Sequence, residues 1–357
     1  MTNLSKFQQQ LAALGADAAI ISSSTGTRYL SGFDYTDGFL LICPERAYLL
    51  ADFRYIEDAR ATVSDFEIIM PEGDMLSELS LLLATEGAVK VAIEEDSVSC
   101  AQMDSWRQKF EKYELIHGAS KTLRELRIVK SESEIAKMIK AQSITDAAFE
   151  HILGFITPER TELEVALELE FFMRSMGAES VAFNTIAVSG ASSSLPHGVP
   201  QNKKLSRGFF TMDFGAKWQG YCSDMTRTVV IGKADDEIKK VYNTVLAAQL
   251  AALEGICEGM KCRDADALAR KVIDDAGFGK CFGHSLGHGV GLDIHEAPSL
   301  SPRAKDDSVL TRGNVVTVEP GIYLEGKFGC RIEDMIVVSD DGSIIDLTKS
   351  TKELIEI

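Results

Sequence analysis

Apolar positions in the first 120 residues alternate between helical and strand spacing. Leu4, Phe7, Leu11 and Leu14 fall on one helical face, and Gly15 is placed to cap it. Short apolar runs follow at Ala18–Ile21, 39–43, Ala47–Ala51, 66–70, 89–93 and 113–116, with helical stretches expected around 54–62, 74–86 and 99–110. This alternation predicts a compact α/β domain over residues 1–125.

The pattern then changes. A charged stretch, 121–130, leads into Ser131-x-x-Glu134, a capping-box signal ahead of a long helix with Ile135, Met138, Ile139, Ala148, Phe149 and Ile152 as its buried stripe. Thr161-x-x-Glu164 repeats the signal before Val165, Leu169, Phe172, Met173 and Met176, with Gly177 as the stop. Further helices are expected at 235–257 and 263–276. Between and after them, 209–214 pairs with 221–231 and 315–319 pairs with 331–338 as strands. The first pair carries Asp213 and Asp224, the second Glu319 and Glu333. Residues 126–357 therefore read as an α+β domain with an internal pseudo-duplication.

Charge narrows the function. Lys and Arg total 37 against 54 Asp and Glu, a net charge of −17. Such acidity argues against nucleic acid and anionic membranes, which both require a cationic footprint. Neither a signal-peptide pattern nor a membrane-length apolar run is present. Seven scattered cysteines without CxxC spacing suit reduced thiols, so the expected compartment is the cytoplasm. Cys330 is expected to be a packed apolar thiol.

Carboxylates in apolar strands need compensation, because burial penalises their charged form. Asp213 lies between Met212 and Phe214, and Glu319 follows Val315-Val316-Thr317-Val318. Three of only six histidines, His284, His288 and His295, fall in one glycine-punctuated segment, 283–298. Its glycines are expected to permit close backbone approach and positive φ. Four carboxylates and an imidazole can converge only around cations. Two divalent ions balance four negative charges, and oxygen donors with one nitrogen suit Mn²⁺ first, with Co²⁺, Fe²⁺ or Zn²⁺ also compatible.

In this order, Asp213, Asp224, His288, Glu319 and Glu333 make the second domain resemble the pita-bread metallopeptidases, which include methionine aminopeptidase, aminopeptidase P and prolidase. The resemblance rests on Met212-Asp213-Phe214-Gly215, Ser223-Asp224-Met225-Thr226-Arg227-Thr228, the His-Gly segment, Val318-Glu319-Pro320-Gly321-Ile322-Tyr323 and Arg331-Ile332-Glu333-Asp334. The first domain is similar to the creatinase-like amino-terminal domain of the aminopeptidase P and prolidase branch.

The resemblance implies that Asp213 chelates one metal, that Asp224 and Glu333 bridge two, and that His288 and Glu319 complete the second site. It further implies that both ions activate a water and that Glu319 shuttles its proton. By the same resemblance His295 holds the carbonyl or tetrahedral intermediate, His197 closes over the substrate, His284 lines the proline side and Thr226 supports a bridging carboxylate. Arg331, two residues before Glu333, is expected to share its face and to bind substrate main chain or a carboxylate, with a structural salt bridge as the alternative.

The implied activity is cleavage of Xaa-Pro bonds, releasing the first residue of peptides with proline second. Alternatives are a strict Xaa-Pro dipeptidase, a methionine aminopeptidase, against which the first domain counts, and a non-catalytic interaction protein. A homodimer is also implied, and the loop 31–38 is a candidate to reach a neighbouring subunit, or else a solvated turn.

Overall fold

In the computed structural model, which describes residues 1–357, helix α1 (Asn3–Leu14) buries Leu4, Phe7 and Leu11 and stops where Gly15 takes φ +68°. Then come β1 (Ala18–Ile21), α2 (Ser24–Ser31), β2 (Gly38–Ile42), β3 (Ala47–Ala51), α3 (Ile56–Thr62) and β4 (Glu67–Ile69). They are followed by α4 (Met75–Thr85), β5 (Lys90–Ile93), α5 (Cys100–Lys109), β6 (Glu114–Ile116) and α6 (Ala119–Ile128). The strands form one mixed sheet in the order β4-β3-β2-β1-β5-β6. Every residue of β1 is buried, as expected of a central strand covered on both faces.

Apolar spacing does not reveal α2, whose sequence is Ser-Thr-Gly-Thr-Arg-Tyr-Leu-Ser. Tertiary contacts supply what propensity lacks. Ser23 caps it by accepting from Gly26 N, while Glu94 accepts the Ser22 and Ser23 N–H groups at 2.9 and 2.8 Å. The loop 31–38 is tied to its own unit: Phe33 and Tyr35 are buried, and Thr36 and Asp37 bond Tyr55 and Arg54.

The chain divides into two units, Met1–Arg127 and Ile128–Ile357. In the second, α7 (Glu132–Phe155) and α8 (Glu162–Ser175) both start with complete capping boxes. Two positions of the expected stripes differ: Ile139 and Met176 are exposed, because the buried face of α7 instead runs through Met138, Gln142, Thr145, Phe149 and Ile152, and Met176 lies beyond the last turn of α8. Strands β7 (Ser180–Val181), β8 (Ile186–Ser189), β9 (Gly208–Phe214), β10 (Ala216–Trp218), β11 (Tyr221–Cys222) and β12 (Met225–Ile231) follow. Next are α9 (Asp236–Gly255), α10 (Cys262–Asp275), β13 (Gly287–Gly289), β14 (Glu296–Leu300) and β15 (Val315–Val318). The chain continues through β16 (Gly321–Leu324), β17 (Phe328–Arg331), β18 (Asp334–Val338) and β19 (Ile344–Asp346).

The duplication is visible in packing. Helices α7 and α8 share a core with β8-β9-β12, and α9 and α10 share one with β14-β13-β15-β18-β19. Ile156 and Ile256 end the first helix of each half in extended conformation, and bridges join Thr161 to Lys204 and Lys261 to Val309.

Two expected strands are interrupted. The 221–231 strand breaks at Ser223-Asp224, and the 331–338 strand breaks at Ile332-Glu333. Each break frees an acidic residue from the ladder. At the first, the chain passes so near Gly215 that a Cβ there would lie 1.9 Å from Ser223 O.

Candidate metal centre and cleft

Asp213 on β9 lies in register with Thr226 on β12, and Asp224 sits just before β12. Glu319 follows β15, its N–H bonded to Leu286 O, and Glu333 lies between β17 and β18, its N–H bonded to Thr226 O. His288 is the middle residue of β13, between β14 and β15, so part of the glycine-punctuated segment is a central strand. None of Gly283, Gly287, Gly289 and Gly291 has positive φ. Proximity requires two of them: a Cβ at Gly287 would be 2.0 Å from Thr317 O, and one at Gly289 2.3 Å from Ala297 O.

This scaffold gathers the acids and the imidazole. Donor atoms of Asp224, His288 and Glu333 lie within 4.8 Å of one another. His288 Nε2 is 3.5 Å from both Asp224 Oδ2 and Glu319 Oε1. Its Nδ1 donates to Gly289 O at 3.0 Å, which leaves Nε2 bare. Thr226 Oγ1 donates to Glu333 Oε2 at 2.7 Å. Asp213 Oδ2 accepts from Arg331 Nη2 at 2.7 Å, whereas its Oδ1 is buried with no partner.

Electrostatics shows what the cluster requires. Burial, followed by the neighbouring carboxylates, holds Asp224 and Glu333 well above the usual carboxylate range. Burial lifts Glu319 to about 8, with Asp213 adding to the rise. Burial pushes His288 down to about 4, so its ring is neutral. A neutral imidazole, an orphaned carboxylate oxygen and acids unable to ionise together are the donor set of a hard divalent cation.

A second chain of bonds runs beside the cluster. Arg331 donates from Nε to Thr226 Oγ1 (2.8 Å) and from Nη1 to Tyr323 OH (2.7 Å) and Pro196 O (3.5 Å). With Asp213, this commits four of its five N–H groups. Tyr323 OH in turn lies 3.0 Å from His284 Nε2, whose Nδ1 donates to Ser285 O. His284 Nδ1 is 4.0 Å from Glu319 Oε2. Tyr323, to which the sequence reading gave no role, links Arg331 to His284. Its signal was an isolated hydroxyl two residues beyond Gly321 in Val318-Glu319-Pro320-Gly321-Ile322-Tyr323.

Above these groups lies a cleft of about 1190 Å³. The exposed His197 and His295 line it, and the His295 ring is centred 4.2 Å from that of His288. Phe183, Ile186, Val199 and Ile294 give it apolar walls. Glu296 also reaches it, paired with buried Lys130 at 3.2 Å. Exposed Lys280 lines the cleft as well. Cys330 is fully buried, as expected.

Comparison with known proteins agrees with both units. The model of the creatinase/prolidase N-terminal domain matches residues 3–129, and that of metallopeptidase family M24 matches 136–340. A Xaa-Pro dipeptidase of Pyrococcus horikoshii is 38% identical over 341 residues, 95% of this chain and 94% of that one. The structure of a Xaa-Pro dipeptidase from Bacillus anthracis superposes with a TM-score of 0.95 at 42% identity, covering 99% of each chain. That of an X-Pro aminopeptidase from Thermotoga maritima gives 0.91 at 38% identity, covering 98% of this chain and 100% of that one.

Proposed function

The chain belongs to metallopeptidase family M24, in its Xaa-Pro peptidase branch, and on that premise we propose that it removes the first residue from peptides with proline second. The observation that carries this reading is the joining of the acidic cluster, through Arg331 and Tyr323, to His284 at the floor of a cleft. Asp213, Asp224, His288, Glu319 and Glu333 would hold two divalent ions, Mn²⁺ by preference. Bound there, such ions lower the pKa of water and polarise a carbonyl.

The chain's own groups do the rest. Glu319, 3.5 Å from His288 Nε2, takes up a proton and returns it to the leaving amine. His295 and His197, at the cleft surface, hold the substrate carbonyl and main chain. His284 faces the proline side. Because proline has no N–H, a site that grips the preceding carbonyl rather than that group tolerates the ring.

The cleft exceeds the usual range of about 300–1,000 Å³ for small-ligand pockets, which supports the aminopeptidase form. Exposed Lys280 favours a second reading, a dipeptidase that recognises the carboxylate after proline. Turnover of Ala-Pro, Ala-Pro amide and Ala-Pro-Ala-Ala by Mn²⁺-loaded protein separates them. An aminopeptidase cleaves all three, a strict dipeptidase only the first, and no cleavage of any defeats both. The same reading expects a cytoplasmic homodimer, and a monomer in sedimentation would remove the dimer.

A further inference from the structure

Behind the metal-facing residues, on the side away from the cleft, lies a fully buried guanidinium. Arg227 follows Thr226 on β12, so strand alternation turns the two side chains to opposite faces. Its Nη1 donates to Thr226 O at 2.9 Å and Glu333 O at 2.6 Å, the carbonyls of the two residues whose side chains bond each other in the cluster. Its Nη2 donates to Asp334 Oδ1 at 2.7 Å and Ser350 O at 2.8 Å, and its Nε to Thr351 O at 2.9 Å. Five bonds use the whole donor capacity of the group.

The partner acid is gripped from its other oxygen. Asp334 Oδ2 accepts from Gln249 of α9 and from Lys352. Lys352 also pairs with Asp346 at 3.0 Å. The segment carrying Ser350, Thr351 and Lys352 is itself held down. Ser350 N and Oγ donate to Asp146 on α7, and Tyr242 OH donates to Lys352 O. Farther along, Ile355 O accepts from Val230 N and Ile357 N donates to Val230 O, along β12. One guanidinium thus ties β12, the β17–β18 junction and segment 350–352 together, at the two backbone positions that aim Thr226 and Glu333.

We propose that Arg227 is a positioning residue for the metal centre, clamped by Asp334 and Lys352, so that metal affinity depends on a segment that touches neither metal ligands nor substrate. This deepens the proposed function and rests on its metal site. A guanidinium is needed because no ammonium can span four carbonyls and a carboxylate in one plane. Groups that orient ligands from outside the coordination sphere commonly govern metal affinity by about 10–100-fold.

The test compares the wild type with Lys352→Met and Arg227→Lys, using Mn²⁺ titration calorimetry, the melting temperature of the metal-free protein, and kinetics on Ala-Pro. Lys352 is partly exposed, so its variant is expected to fold even where Arg227→Lys does not. In Lys352→Met the weaker Mn²⁺ site is expected to lose about tenfold in affinity, with kcat lowered at limiting Mn²⁺ and KM unchanged. Unchanged Mn²⁺ affinity in Lys352→Met, with only the melting temperature lowered, overturns the proposal and leaves the enzyme reading intact. Failure of the wild type to take up Mn²⁺ defeats the metal site and the proposal together.

Discussion

Arg331 Nη2 lies 2.7 Å from Asp213 Oδ2, while Asp213 Oδ1 is buried with no partner. One oxygen of the carboxylate is thereby fixed by a rigid fork and the other left aimed at whatever cation enters. The same fork reaches Thr226 and Tyr323, so its shape matters as much as its charge. Arg331→Lys keeps the charge but cannot hold all three contacts. It is expected to lower kcat/KM on Ala-Pro about 100-fold, the scale of a small misplacement at a reacting centre. Steady-state kinetics check this, and near wild-type activity in the lysine variant would show that charge alone suffices.

Cation removal is expected to make stability fall with pH. Glu319 is raised by burial to about 8 from an ordinary 4.5, so the metal-free folded state holds a proton that the unfolded state releases. The stability it contributes is present below pH 4.5 and is lost as pH rises toward 8. His284 and His288, lowered by burial from 6.5 to about 4, work in the opposite sense, but only below about pH 6.5. Between pH 6.5 and 8 the acid acts without that offset. The melting temperature of EDTA-treated protein is expected to drop across this window and to be restored by Mn²⁺. A flat profile without metal would count against a cluster starved of cations.

Much of this arrangement was legible in the sequence where local chemistry decides structure. The capping residues Ser131 and Thr161 begin α7 and α8, and β1 and β3 span the apolar runs that announce them. The five acid and imidazole positions stood out because each sits where an apolar strand or glycine-rich run gives no structural reason for it. What escaped depends on contacts distant in sequence. Helix α2 is secured by Glu94, about seventy residues away, and no spacing rule signals that. Tyr323 lies in the same run as Glu319 and Arg227 in the same run as Asp224, but their roles come from partners distant in sequence. A strand such as β12, buried at every position yet containing an arginine, is the clearest sign that could have exposed the second of these.

Lys280 offers a measurable contribution to substrate choice. It is exposed at the cleft, so any attraction for a peptide carboxylate is screened by solvent. Lys280→Met is expected to raise KM for Ala-Pro about two- to fivefold and to leave KM for Ala-Pro amide unchanged. Added salt should erode the difference in the wild type. Equal effects on acid and amide would mean that Lys280 does not read the carboxylate.

Gly287 tests whether the sheet or the ligand is what requires glycine beside His288. A Cβ at this position would fall 2.0 Å from Thr317 O and 2.7 Å from Thr317 C, both backbone atoms of β15 that cannot rotate away. The strands must separate, and overpacking of this kind costs about 1–3 kcal/mol. Separation also disturbs two contacts beside the cluster: His288 N donates to Thr317 Oγ1 at 3.1 Å, and Thr317 Oγ1 donates to Glu319 Oε1 at 3.3 Å. Gly287→Ala is therefore expected to lower the melting temperature of the metal-free protein and, separately, to weaken Mn²⁺ binding. At Gly15, where a Cβ would meet nothing within 4 Å but φ is +68°, alanine is expected to lower stability without touching Mn²⁺ affinity. Calorimetry on the two variants separates the roles. If Gly287→Ala binds Mn²⁺ as the wild type does, His288 owes its placement to something other than the closeness of β13 to β15.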